Sequence, residues 1–325
     1  MTKLNILKKL VVLSVSAFCL HAPAQSSYPN RQITILIPFG VGGSTDLIGR
    51  LVAKTMQDEF KQPVVVVNKT GLGGAIALNE LTKANPDGYT LAFATGSTTV
   101  LPACDANLPF DVTKDLQPVS LIASMPMVMA VNRNSQFRSF NDVRVRSKEK
   151  PNSINYSTVH CSIMHFLMED VKSKENLDFT HIPYGSGPAG ISAVLSGDVH
   201  VSLEAMTSFG SQFEKDGKLR PIAVTWPTRL SDMPDVPTFA ELGFRDANKG
   251  TWYGIVAPLG ISPEIVNKLN QLFQRESKNP EFQEKIRALG GYTRTGVGPT
   301  EFGALIKSDV QFYRKIADSK KIKLN

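Results

Sequence analysis

Five short segments concentrate glycine and hydroxyl side chains: residues 39–46, 95–100, 157–162, 184–188 and 204–208. Glycine lets a backbone N–H approach a ligand closely, and the unpaired N–H groups of a helix start favour an anion. The chemistry this suits is capture of a small carboxylate by amides and hydroxyls, with no covalent step. Two carboxylates stand in the same segments. Asp46 reads either as a first-turn acid that complements a helix dipole or as an acceptor for a ligand hydroxyl or amine. Glu204 has the same two readings.

Other chemistries find less support. Gly40-Val41-Gly42 and Gly71-Leu72-Gly73 lack the third glycine of a dinucleotide fingerprint, because Thr45 and Ile76 stand there. There is no phosphate loop ending in Gly-Lys-Ser/Thr and no Gly-x-Ser-x-Gly elbow. His160, Cys161 and His165 invite a metal or a thiol–imidazole reading. Helical positions five apart diverge by about 140°, which argues against a shared ligand on one face. His165, His181 and His200 are expected to sit satisfied in or near the core. No catalytic residue, metal or cofactor is expected.

These segments need elements to hold them. The β-branched run 33–39 reads as a strand, followed by a glycine turn and a helix to Asp58 with Leu47, Ile48, Leu51 and Val52 on one face. A strand at 62–68, a helix at 75–84 and a strand at 89–94 complete a β-α-β-α-β pattern, for which a parallel sheet is expected. Residues 119–132 are a long extended stretch. A second series follows: strands at 154–157, 179–183, 199–204 and 221–224, with helices at 162–174, 188–196 and 208–215. A strand at 252–257 and three C-terminal helices return to the first style. Ser262-Pro263-Glu264 and Asn279-Pro280-Glu281 are two of their starts. The fold class is α/β, with two β/α lobes, the second inserted in the first and joined by a two-segment hinge. Lobe 1 spans 25–130 and 226–325, and lobe 2 spans 131–225.

The chain has 325 residues, with 42% hydrophobic and 20% charged, enough for two modest cores. The net charge of +7 is scattered, without the basic–aromatic clusters that nucleic acid needs. Lys8 and Lys9 precede the apolar run 10–20, and Ala22-Pro23-Ala24 follows. That pattern is a secretion signal cleaved after Ala24. Lipidation at Cys19 is disfavoured by Phe18, where a small residue is required. Cys104 and Cys161 remain; two free thiols are expected, with a bridge between them as the alternative.

The order of these features resembles a known family. Tyr28-Pro29-x-Arg31-x-Ile33, Pro38-Phe39-x-x-Gly42-Gly43-x-x-Asp46, Pro86-Asp87-Gly88-Tyr89-Thr90-Leu91, Asn155-Tyr156, Gly197-Asp198-Val199 and Pro234-Asp235-Val236-Pro237-Thr238 are similar to the Bug receptors, the periplasmic receptors of tripartite tricarboxylate transporters. The resemblance runs over the mature chain. It implies a periplasmic-binding-protein fold of the second type that closes over a carboxylate, with no catalytic residues. By motif, Phe39, Gly42, Gly43 and Asp46 form the first-lobe ligand loop, with Ser97 and Thr98 in the next. Ser157, Thr158, His160 and Ser162 belong to the second-lobe loop.

This chain departs from the family at three places. Gly40 and Val41 replace prolines, the 157–162 loop is one residue shorter, and His200 replaces an acid. His160 and Cys161 are expected to tune ligand choice and to do no chemistry. The leading expectation is a monomeric periplasmic receptor that delivers a small organic anion to membrane transporter subunits. The alternatives are a degenerate receptor serving as a sensor subunit and an enzyme using His160 and Cys161.

Overall fold

The computed structural model describes residues 28–105, 107–213, 217–247 and 249–320, without the side chains of 319 and 320. The signal segment, Cys19 and the end of the 208–215 helix lie outside these residues. Two mixed sheets organise the rest. The first has six strands, in the order β11 (Tyr292–Thr293), β4 (Leu116–Met125), β10 (Thr251–Pro258), β3 (Thr90–Thr95), β1 (Ile33–Ile37) and β2 (Val64–Asn68), and the second has five, in the order β7 (Phe179–Pro183), β6 (Ile154–Thr158), β8 (Val201–Ala205), β5 (Met127–Asn132) and β9 (Leu219–Val224).

In the first lobe, β1 (Ile33–Ile37), β2 (Val64–Asn68) and β3 (Thr90–Thr95) are parallel. Helix α1 (Ser44–Phe60) buries Ile48, Val52 and Met56, four residues apart, and stops at Lys61, which turns left-handed. Helix α2 (Ala75–Thr82) covers the other face through Ala77, Leu78 and Leu81. Strand β10 (Thr251–Pro258) runs antiparallel between β3 and β4 (Leu116–Met125), so the sheet is mixed rather than parallel. Local pattern fixes a strand but not its direction, and β10 enters from the far lobe. The C-terminal helices are Pro263–Glu276, Pro280–Ala288 and Pro299–Lys320, and the second of them leads into the short edge strand β11 (Tyr292–Thr293).

The chain leaves the first sheet at Met125 and enters the second at Met127, with Pro126 between. There β6 (Ile154–Thr158), β7 (Phe179–Pro183) and β8 (Val201–Ala205) are parallel, while β5 (Met127–Asn132) runs antiparallel to both β8 and β9 (Leu219–Val224). A helix over Phe140–Glu149 precedes β6, where the sequence reading had none. Segment Met206–Phe213 is 3-10 helix rather than α-helix, broken at Gly210.

Two stretches change lobe relative to expectation. Residues 127–130 are part of β5 and therefore of the second sheet. Residues 226–247 stay on lobe 2 before β10 returns. Leu230, Met233 and Val236 share a core with Val128 and Val194, and Phe239 and Phe244 pack on Phe140. The cause is burial: these five apolar side chains have their partners on lobe 2. The two crossings run side by side, because a Cβ on Gly250 would come within 2.3 Å of the Met125 carbonyl.

Cys104, on the first lobe, and Cys161, on the second, are joined in a disulfide with a Cα–Cα distance of 5.9 Å. Two free thiols were the expectation. Sequence separation of 57 gives no hint that the fold brings Cys161 of the second-lobe loop against the first lobe.

Candidate functional site

The two lobes face each other across a cleft. From the first lobe come Phe39, Gly40, Gly43, Ser44, Thr45, Thr95, Ser97, Thr251 and Tyr253. From the second come Val159, Ser162, Met164, Ser186, Gly187, Glu204 and Ser208. Three helix starts converge here. The start of α1 is at Gly43 and that of Gly187–Ser196 at Ser186, and neither has a side-chain cap. Helix Ile163–Glu175 begins at Ser162, whose hydroxyl accepts from the His165 N–H at 3.2 Å. The first N–H groups of a helix have no partner within it, so uncapped starts at a cleft are donors for an anion. No lysine, arginine or histidine is among the lining residues.

The lobes meet closely around this cleft. The Ile163 N–H of lobe 2 donates to Ser97 Oγ of lobe 1 at 3.1 Å. Gly73 lies so near Cys161 that a Cβ would stand 2.2 Å from its carbonyl oxygen, with a φ of +62° besides.

Of the residues singled out by sequence, Phe39, Gly43, Ser97, Ser162 and Glu204 line the cleft. Six others do not. Gly42 is left-handed, and its Cβ position faces open space. Its N–H is taken by Asp46 Oδ2 at 3.0 Å. Asp46 is 1% exposed and also accepts from Asn68 Nδ2 at 3.0 Å and Arg50 Nε at 3.0 Å. Thr98 and Thr95 form a reciprocal capping pair. The Ser157 hydroxyl donates to the Gly190 carbonyl, and the Thr158 hydroxyl lies 2.9 Å from His181 Nε2. His160 does not line the cleft: the loop presents Val159 there, and His160 borders His165 instead.

Sequence reasoning missed Tyr253 and Thr251, which come from an antiparallel strand whose first residues reach the cleft. Their alternation around Trp252 was the available signal. It also missed Ser186, Gly187 and Ser208, although the segments that hold them were recognised.

Electrostatics separates the two carboxylates. Burial acts to raise Asp46, but hydrogen bonds from Arg50, the Gly42 N–H and Asn68 outweigh it and hold the carboxyl below its ordinary range. Burial pushes Glu204 up to about 8, with nothing to offset it. Its Oε1 is buried and has no hydrogen-bond partner. Burial also raises the Tyr253 phenol, whose hydroxyl donates to Ser44 Oγ at 2.8 Å.

The histidines gather behind the loop. His181 stacks between Tyr156, at 4.9 Å, and His165, at 3.9 Å, and His160 borders His165 at 5.3 Å. One nitrogen from each of His160, His165 and His181 lies within 4.8 Å of the others. The donors suit a transition metal by type. However, the rings of His165 and His181 are within 20° of parallel, so their in-plane lone pairs run side by side rather than to one point. Burial lowers His165 to about 3 and His181 to about 4, and the adjacent imidazoles act in the same direction on both. His165 Nδ1 accepts from the Cys161 N–H, and His200 Nδ1 accepts from the Asn155 N–H. A thiol–imidazole pair has no thiol to use, since Cys161 is oxidised.

Residues 48–298 match the tripartite tricarboxylate transporter family receptor. The chain belongs to this receptor family. BugT of Bordetella pertussis is 30% identical over 95% of this chain and 96% of its own length. Among solved structures, one described as a periplasmic transporter is 37% identical with a TM-score of 0.87, covering 92% of this chain and all of its own. R. palustris Rpa4515 with adipate is 26% identical with a TM-score of 0.86, covering 91% of this chain and 99% of its own. The two-lobed receptor fold is thus common to the chain and its relatives. Among the described residues, no helix is long and apolar enough to cross a membrane.

Proposed function

We propose that this chain is a periplasmic receptor that closes over a small carboxylate and presents it to the membrane subunits of a tripartite transporter. The observation that carries the reading is the cleft: two uncapped helix starts and a ring of hydroxyls around a space lined by no basic side chain. Amide dipoles held in place stabilise an anion without the desolvation cost of a buried lysine. The adipate held by Rpa4515 supports the ligand class. Phe39, Gly43, Ser97, Ser162 and Glu204 would touch the ligand, while Gly42, Asp46 and Thr98 would shape the loops that do. The protein would act as a monomer without turnover, after export and cleavage behind Ala24, which mass spectrometry of exported protein tests.

Titration calorimetry and thermal shift against linear dicarboxylates and aromatic acids test the ligand class. An acid at 100 times its dissociation constant should add about 2.7 kcal/mol of stability. A correctly folded protein that responds to no acid in the panel at pH 6.5 would overturn the proposal.

A further inference from the structure

Glu204 is the one lining residue with an ionisable carboxyl group, and the only other titratable lining group is the Tyr253 phenol. It is the penultimate residue of the fully buried strand β8 and is 4% exposed. Its Oε1 has no partner, and its Oε2 lies beside Gly187, where a Cβ would be 2.8 Å from it. Gly187 and Ser208 carry no charge, and neither does Val128, its pair on β5. No lysine, arginine or histidine lines the cleft to compensate a negative charge at this position. A carboxylate ligand seated here therefore meets a second carboxyl group. If both were ionised, two negative charges would face each other in the cleft with no cation among the lining residues to separate them. One proton resolves this, since a protonated carboxyl has one O–H to give and keeps its other acceptor sites.

We propose that Glu204 stays protonated in the closed receptor and donates a hydrogen bond to the ligand's carboxylate, so that at alkaline pH each anion bound brings one proton in with it. This rests on the carboxylate reading above and deepens it. The ligand must present an acceptor, not an ammonium, to this wall of the cleft. The proton moves from solvent to a Glu204 oxygen, and no other bond forms or breaks. Burial supports the assignment, because it holds the carboxyl up at about 8. A neighbouring negative charge shifts it further in the same direction. The Tyr253 phenol stays neutral and is committed to Ser44.

The sign follows from linkage. Below about pH 8 Glu204 holds its proton in both free and bound receptor, and affinity is flat. Above it the free receptor loses the proton that the complex retains, and affinity falls about tenfold per pH unit. Dicarboxylates such as adipate and succinate are fully ionised throughout this range, so the ligand contributes no slope.

Titration calorimetry with adipate and succinate at pH 6.5, 8 and 9 tests this, each pH in two buffers of different ionisation enthalpy. Expected is uptake approaching one proton per ligand at pH 9, none at pH 6.5, and an about fivefold loss of affinity between pH 8 and 9, steepening towards tenfold per unit above that. In Glu204→Gln the amide donates at every pH, so slope and uptake both vanish. Binding to the parent that is flat to pH 9 without proton uptake overturns the proposal. So does a preference for aspartate over succinate that is lost in Glu204→Gln, because an ammonium would then be the partner. No binding of either acid at pH 6.5, where Glu204 is protonated, is a different result: it refutes the carboxylate reading, and the proposal falls with it.

Discussion

Asp46 and Glu204 stand on opposite lobes, both in segments that border the cleft, and both are almost completely buried. Their surroundings differ. Asp46 accepts from Gly42, Asn68 and Arg50, and these bonds hold the 39–46 loop in shape. Glu204 has one oxygen with no partner and sits against uncharged residues. Burial alone therefore does not distinguish a structural acid from a binding one. The count of satisfied lone pairs does, because an unpaired buried acceptor is costly unless something arrives to use it.

The largest effect expected from this contrast is on Asp46. Asp46→Ala should cost about 3 kcal/mol in urea denaturation, because two partly buried donors lose their acceptor while the half-exposed Arg50 rehydrates. Asp46 lies below its ordinary range when folded, so its contribution is complete above about pH 4 and disappears as pH falls further. The variant should lack that part of the acid transition. A loss under 1 kcal/mol would put Asp46 in the same class as Glu204.

Glu204 should show the opposite sign. Its folded value of about 8 lies above the unfolded one, so the native state binds more protons between about pH 4.5 and 8. Stability of the parent should decline across that window. Glu204→Gln removes the decline, so its stability relative to the parent should rise steadily from pH 4.5 to pH 9 in the same denaturation series. Parallel pH profiles for parent and variant would mean that water reaches this carboxyl and that the two acids are alike.

Adjacent residues Ser97 and Thr98 make the smallest version of the comparison. Thr98 caps its own turn, so Thr98→Ala should cost about 1 kcal/mol of stability. Ser97 accepts across the cleft from Ile163. Ser97→Ala should weaken adipate binding several-fold while moving the urea midpoint less than Thr98→Ala does. Reversal of the two outcomes would assign closure to Thr98 instead.

Much of this was legible in the sequence because it rests on local pattern. The β-branched runs, the proline at helix starts and the glycine turns mark strands, helices and the loops at the cleft. Other parts depended on information that local pattern does not carry. The helix Phe140–Glu149 buries only Phe140, Val143 and Ser147, too few for a visible stripe, and Ser139 with Asp142 in its capping box was the remaining clue. The direction of β10 and the docking of 226–247 on lobe 2 are set by tertiary contacts. Cys161 is left-handed, a conformation that its identity does not announce. Asp46 and Glu204 were both visible as acids, but which of them was satisfied needed the coordinates.

The Cys104–Cys161 bridge gives the lobes a third covalent connection, beyond the two chain crossings. A hinge sets how far two bodies can swing, whereas a clasp between the loops that must part sets whether they swing at all. If the bridge holds the lobes together, the residence time of a captured acid should depend on the bridge as well as on affinity. Exchange of bound for labelled adipate should therefore be slow until a reductant is added, and fast from the start in Cys104→Ser. Equal exchange rates in the parent and in Cys104→Ser would mean that the lobes part with the bridge intact.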